Sequence, residues 1–399
     1  MSDTTPLVIY VPGLYSCTLK PTGSVKCLRD RWDPPKSILL SLLKGNTGHS
    51  GLALPIIWTK DEEGNCVQQK DDIEAGDCLS FVQDKLLNFL DTLNNNGLID
   101  LHKVTWDWRR SFFESENHIR STIESICDNN IRQSIIITHS TGAMLTWPTI
   151  SKHPEWFSSW INAAGCLLCG SNTFLDSLTN GWYHSYLKML SKQVCFTLPI
   201  LYSYFPVKGE IWGGVGESDI VLPDGSYLSW SDFDIHDITT WEKFKIGIFR
   251  WKEREVTIEE RNHLQNCLDI GKKVRETFFL RNGKPHDPSF LDKDISAYNH
   301  LKIICYGSSS HDVHSAYEIN EDDETMDVSK SKRTTKGDGT LFTKNWQTIP
   351  GGLQPEIIMA EEGSDHVSLV NDKKLHDILL KLFFADDELK KASAISLLN

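Results

Sequence analysis

A serine, an aspartate and a histidine stand far apart in this chain, each in a setting that could bring it to the others. Ser140 lies in Ser134-Ile135-Ile136-Ile137-Thr138-His139-Ser140-Thr141-Gly142-Ala143-Met144, where a run of isoleucines enters a polar turn that leads into a helix-compatible segment. Such a passage reads as a buried parallel strand handing over to a helix, and a serine at that elbow holds its hydroxyl above the sheet edge. Gly142 leaves room for the helix to pass close to the strand. The elbow pattern G-x-S-x-G is only half present, because Thr138 stands where its first glycine would be. A plain strand-to-helix turn with a capping serine carries the same local signature.

Asp338 sits in Gly337-Asp338-Gly339-Thr340, which places a carboxylate in a tight turn, and His366 follows Asp365 in a loop opened by Gly363. Taken singly, Asp338 is a turn residue and His366 a helix-start residue. Together they fall in the order serine, acid, histidine, which is that of an α/β-hydrolase triad. An imidazole between a hydroxyl and a carboxylate can take the hydroxyl proton and make an unreactive serine a nucleophile toward an acyl carbon. That chemistry needs no metal and no cofactor.

The elements around these residues alternate. Leu7 to Val11 is a short β-rich run ended by Pro12-Gly13, which puts the backbone N–H of Leu14 at a strand tip. That amide could face an oxyanion, or the segment could be a plain strand-ending turn. Apolar Leu79, Val82, Leu86, Leu90 and Leu93 have helical spacing, and Asn94-Asn95-Asn96-Gly97 supplies the stop. Lys103-Val104-Thr105 leads into Trp106-Asp107-Trp108-Arg109-Arg110, where Asp107 and Arg109 form a pair and Trp106 and Trp108 either pack at a strand end or wall a substrate cleft. A second helix, about 114 to 127, precedes the serine strand, and Trp160 to Cys169 reads as the next strand. This alternation implies an α/β fold with a mostly parallel central sheet and helices on both faces.

Bulk properties bound the function. The chain has 399 residues, 40% hydrophobic and 24% charged, enough for one large α/β domain with insertions. Its net charge of −13 and lack of a basic cluster argue against nucleic acid as a partner and against electrostatic adhesion to anionic membranes. An apolar patch could still meet lipid. No apolar run is long enough to cross a bilayer, and the N-terminal residues lack a secretory pattern. Ten irregularly spaced cysteines then read as reduced thiols in a cytoplasmic protein. Cys166 and Cys169 have redox-motif spacing in apolar sequence, where buried inert thiols are expected.

The expected division is a core over 1–170 with a lid-like segment at about 15–76, a cap insertion over 171–299, and a second core part over 300–399. The lid-like segment holds Arg31-Trp32-Asp33-Pro34-Pro35, a leucine-rich stretch over 38–43 and Gly/Asn turns over 45–51. The cap is rich in aromatics at 182–186 and 202–206, has turns at Gly213-Gly214-Val215-Gly216 and Pro223-Asp224-Gly225, and carries a charged helix from about 258 to 275. Strand character returns at 301–307, and the polar, acidic stretch 308–336 reads as a solvated or disordered loop. His311 and His314 have ligand-like spacing, with no further ligand nearby in sequence to complete a metal site.

Val11-Pro12-Gly13-Leu14, Trp106-Asp107-Trp108-Arg109, His139-Ser140-Thr141-Gly142, Gly337-Asp338-Gly339-Thr340 and Asp365-His366, which span nearly the whole chain, resemble the lecithin:cholesterol acyltransferase and group XV phospholipase A2 family of α/β hydrolases. Trp32-Asp33-Pro34-Pro35 is similar to a Trp-Pro-Pro near the lid of some members. The resemblance implies Ser140 as nucleophile, His366 as general base, Asp338 as its orienting acid, and the amides of Leu14 and Thr141 as oxyanion donors. Secreted members carry a signal peptide and a disulfide-closed lid; here Cys17 and Cys27 lie closer together than that lid's pair.

The leading expectation is therefore an acyl-ester hydrolase or acyltransferase on a lipid-like ester. An esterase or lactonase on a soluble small molecule is the alternative within the same chemistry, and a hydrolase-fold protein that only binds a ligand is the alternative outside it.

Overall fold

A computed structural model describes residues 5–22, 52–61, 66–129, 132–168, 172–184, 187–207, 220–221, 227–228, 234–251, 254–280, 291, 293–314, 317–320, 325–327, 334–385 and 387–398. Arg31 to Pro35, the 38–43 leucine stretch, the 45–51 turns, Cys27, Cys169, Ser185-Tyr186, Gly213 to Gly216 and Pro223 to Gly225 lie outside the described residues.

Six strands form the central sheet: β1 (Leu7–Val11), β2 (Asp100–Lys103), β3 (Ser134–His139), β4 (Phe157–Ala163), β5 (Lys302–Gly307) and β6 (Glu356–Met359). Their spatial order is β6-β5-β4-β3-β1-β2, and every neighbouring pair is parallel. The serine strand β3 is thus central, flanked by β1 with Val11 opposite Thr138 and by β4 with Ala163 opposite His139. Burial on both faces explains its continuous apolar run.

Alternation along these strands divides the interior in two. Ile9, Val11 and Ile136 face one cluster, completed by Phe112, Ile119 and Ile123 of α2 (Phe112–Asp128) and by α3 (Thr141–Lys152). Val8, Tyr10, Ile135 and Ile137 face the other, covered by Leu86, Leu90 and Leu93 of α1 (Ser80–Asn95) and by Leu375 and Leu379 of α5 (Lys373–Phe383). Helices therefore cover both faces of the sheet. Helix α2 starts at a capping box in which the Ser111 hydroxyl accepts from Glu114 N–H and Glu114 accepts from Ser111 N–H. The long helix α4 (Ile258–Phe278) starts the same way with Thr257 and Glu260. Leu264, Cys267 and Leu268 of α4 join the first cluster, so the segment expected as a cap shares its core with the sheet.

Two expectations change. The strand read at 160–169 runs from Phe157 to Ala163 and stops at Ala164, whose φ of 48° breaks the extended chain. The stretch 308–336 is not one open loop, because His311–His314 pairs antiparallel with Thr334–Gly337. Around the lid-like segment, Cys17–Pro21 pairs with Ile73–Cys78, and Trp58–Lys60 with Cys66–Gln68.

Candidate active site

The end of β3 turns sharply into α3, and Ser140 occupies the turn with φ 53° and ψ −122°. Such a conformation costs about 1–3 kcal/mol for a residue with a Cβ and persists only where the surroundings enforce it. Ser140 N–H donates to Ala163 O at 3.0 Å, and Ser140 O accepts from Ala143 N–H at 3.1 Å and Cys166 N–H at 3.3 Å. Gly142 is required next to it, since a Cβ there would lie 2.4 Å from Val11 O and 2.8 Å from Pro12 O. Thr138 is tolerated in place of glycine because its side chain belongs to the sheet. Its hydroxyl donates to Ile161 O at 3.3 Å and accepts from the Trp160 indole at 2.9 Å.

The structure brings Ser140, Asp338 and His366 together. Ser140 Oγ is 2.8 Å from His366 Nε2, and His366 Nδ1 is 2.7 Å from Asp338 Oδ2. A carboxylate opposite Nδ1 assigns the proton to that nitrogen and leaves the Nε2 lone pair toward the hydroxyl. Asp338 is fully buried, its Oδ1 accepting from Thr340 N–H at 3.0 Å and Leu341 N–H at 2.7 Å. It cannot swing away from the imidazole without losing both. The backbones are tied as well, with His366 N–H donating to Asp338 O at 2.8 Å. A hydroxyl, imidazole and carboxylate in this array can pass a proton from Oγ to Nε2.

The turn after β1 lies against the serine: a Cβ on Gly13 would stand 2.9 Å from Ser140 Cβ. Leu14 follows in that turn, which Ser16 N–H closes onto Gly13 O. Thr141 is the first residue of α3, where a helix leaves its N–H groups without intrahelical partners and its dipole favours negative charge. Amides from these two places can flank an oxyanion next to Ser140.

Trp106 and Trp108, read as packing at a strand end or walling a substrate cleft, sit against the turn after β1. Both are fully buried, and their indole N–H groups donate to Pro12 O at 3.0 Å and Cys17 O at 3.1 Å. Through these bonds the indoles brace the turn that carries Leu14. Beside them Arg109 is fully buried between Asp107 and Asp71, at 2.7 and 2.5 Å, and Arg110 meets Asp71 at 2.6 Å. The expected Asp107–Arg109 pair is thus part of a four-residue ion cluster holding the end of the lid-like segment. His311 Nε2 lies 3.1 Å from Gly363 O, so its ring supports the His366 loop.

Two neighbours escaped the sequence reading. His139 Nε2 lies 2.9 Å from His366 O, and burial together with the nearby His366 ring lowers its pKa to about 3. It is a neutral donor at ordinary pH. Tyr204 places its hydroxyl 2.5 Å from Thr141 Oγ1 while its ring stacks on Phe174 at 3.7 Å. The GxSxG-like spelling was the only local signal for the first, and the aromatic run 202–206 for the second. Burial raises the Cys166 thiol to about 12, which keeps it protonated.

Residues 80–278 match the family model of lecithin:cholesterol acyltransferase, a stretch that includes Ser140 and the Trp106 to Arg109 cluster but neither Asp338 nor His366. A chain in the crystal structure of the Tle4–Tli4 complex superposes with a TM-score of 0.54 at 11% identity, covering 93% of this chain and 96% of that one. That likeness is one of fold, and with the parallel sheet it makes this an α/β hydrolase fold. The mature lipase BlEst2 of Bacillus licheniformis matches at a TM-score of 0.39 and 10% identity over 95% and 92% of the two chains, too loosely to carry an argument. No curated protein matches the sequence.

Proposed function

We propose that this chain, which resembles the lecithin:cholesterol acyltransferase family, acts on lipid-like esters through an acyl-enzyme formed on Ser140. The resemblance supports an acyl-ester hydrolase or acyltransferase; the serine mechanism and the substrate are our reading. One observation carries it, the imidazole of His366 placed between Ser140 Oγ at 2.8 Å and Asp338 Oδ2 at 2.7 Å.

Ser140 Oγ attacks the acyl carbonyl carbon as His366 Nε2 removes its proton, and Asp338 stabilises the imidazolium through Nδ1–H. The carbonyl oxygen becomes an oxyanion facing the N–H groups of Leu14 and Thr141, each contributing on the order of 3 kcal/mol. The tetrahedral adduct collapses, the alkoxide leaves with the proton from Nε2, and the acyl group stays on Oγ. Water or an alcohol then gives its proton to Nε2 and attacks the acyl-serine. Collapse of the second adduct releases an acid or a new ester, and Oγ regains its proton.

The lipid-like substrate is proposed from the resemblance to the lecithin:cholesterol acyltransferase family. No described helix is long and apolar enough to cross a membrane. The eight described cysteines stand as free thiols, which supports residence in the reducing cytoplasm. The test is hydrolysis of p-nitrophenyl esters of increasing chain length by the wild-type protein and Ser140→Ala. We expect turnover by the former alone, rising steeply where the ester forms micelles. Equal rates on monomeric short esters and micelles would favour a soluble ester or lactone, and no turnover at all would leave a binding protein.

A further inference from the structure

We infer that Asp372 is a positioning residue for His366, its buried carboxylate gathering the base of the loop that carries the imidazole; the inference rests on the serine-hydrolase reading above. The loop leaves the sheet at the end of β6 and returns through a 3-10 turn, Ser368–Asn371, directly before Asp372. Asp372 Oδ2 accepts from the Tyr306 hydroxyl at 2.7 Å and from Glu361 N–H at 3.0 Å. Its Oδ1 accepts from the Ser364 hydroxyl at 2.7 Å. The three donors stand on strand β5, at the start of the loop, and two residues before His366. One side chain therefore ties both ends of the loop to each other and to the sheet.

Asn371 adds a second anchor. Its Oδ1 accepts from Lys85 and Leu86 N–H, at 3.1 and 3.2 Å, just after Gln83, where non-helical φ and ψ interrupt α1. The end of the loop is thereby fixed to a helix as well as to the sheet.

Asp372 is only 7% exposed, and its three donors are neutral. Burying a carboxylate among neutral partners is unfavourable unless its lone pairs are well used. Here they are used in one closed arrangement, which holds the loop in the register that delivers Nε2 to Ser140. At the tip, His366 N–H meets Asp338 O and His366 O meets His139 Nε2. Those contacts set the ring only if the base does not slide, and a displacement of about 1 Å can cost on the order of 100-fold in rate.

Asp372→Asn keeps the shape but offers one acceptor oxygen, so the cluster of three donors can no longer be served. With p-nitrophenyl butyrate, well below the melting temperature, we expect kcat to fall roughly 10-fold with KM changed less than about 2-fold. Labelling of Ser140 by a fluorophosphonate should slow by the same factor. Ser364→Ala and Tyr306→Phe each remove one donor, and each should act in the same direction, with less than additive effect when combined with Asp372→Asn. Should Asp372→Asn fail to fold, Ser364→Ala carries the same comparison. A variant that melts earlier yet keeps the wild-type kcat and labelling rate would overturn the inference. A wild-type protein that is not labelled at Ser140 would instead bring down the hydrolase reading, and this one with it.

Discussion

The imidazole of His139 donates from Nε2 to the carbonyl oxygen of His366 at 2.9 Å, so the residue before the elbow serine holds the backbone of the residue that faces its hydroxyl. The link is made 227 positions apart, at full burial of the His139 ring. His139→Ala leaves a buried carbonyl without its donor, a loss of about 1–3 kcal/mol. We expect that drop in urea denaturation, together with slower ester turnover at unchanged KM.

The same histidine makes stability depend on pH. Its native pKa of about 3 lies below the ordinary value near 6.5, so the unfolded chain binds a proton that the native one refuses. Stability is then complete above about pH 6.5 and falls as the pH drops toward 3. His263 behaves alike, since burial lowers it to about 4 while Trp58 Nε1–H donates to its Nδ1 at 2.9 Å. Each contributes a loss of about 2 kcal/mol between pH 7 and 5. His263→Gln should flatten the fall of melting temperature over that range, and an unchanged slope would remove His263 as a cause.

Gly142→Ala sets a methyl group 2.4 Å from Val11 O, a backbone atom that has no rotamer to escape into. Relief requires α3 to shift away from β1 and carries Ser140 with it. The expected outcome is ester turnover reduced by about 100-fold in whatever protein folds, read as kcat on soluble fractions. Ala at Gly97, where nothing stands near its Cβ but φ is 67°, should cost stability only.

Arg109→Ala removes the fully buried guanidinium between Asp71 and Asp107, which are 18% and 13% exposed, and leaves Arg110 as their remaining partner in the cluster. Breaking a buried pair from one side costs about 3–5 kcal/mol. Chemical denaturation should show it, along with early proteolysis near residues 66–78, where the ion cluster holds the chain.

Where residues act through their immediate neighbours, the sequence was readable. The isoleucines before Ser140, the glycines around Asp338 and the spacing of Leu86, Leu90 and Leu93 each fix a local shape, and β3, the Asp338 turn and α1 follow from them. What was hidden is long-range. Nothing in the composition of Trp106 or Trp108 separates a cleft wall from a brace, because the difference lies in carbonyls of Pro12 and Cys17 about 90 positions away. The short polar strands His311–His314 and Thr334–Gly337 lack apolar alternation, and their pairing rests on backbone bonds that no side-chain pattern announces. Asp372, which stands in no motif of the sequence, gains its meaning from Tyr306 and Ser364.

We propose Ser140 as the nucleophile that takes up the acyl group, activated by His366. The measurement that tests this most directly is intact and peptide mass spectrometry after reaction with a fluorophosphonate. We expect one adduct per chain, on the peptide that contains Ser140, absent in Ser140→Ala and strongly slowed in His366→Ala. An adduct on another residue, or undiminished labelling of the Ser140→Ala protein, would contradict it.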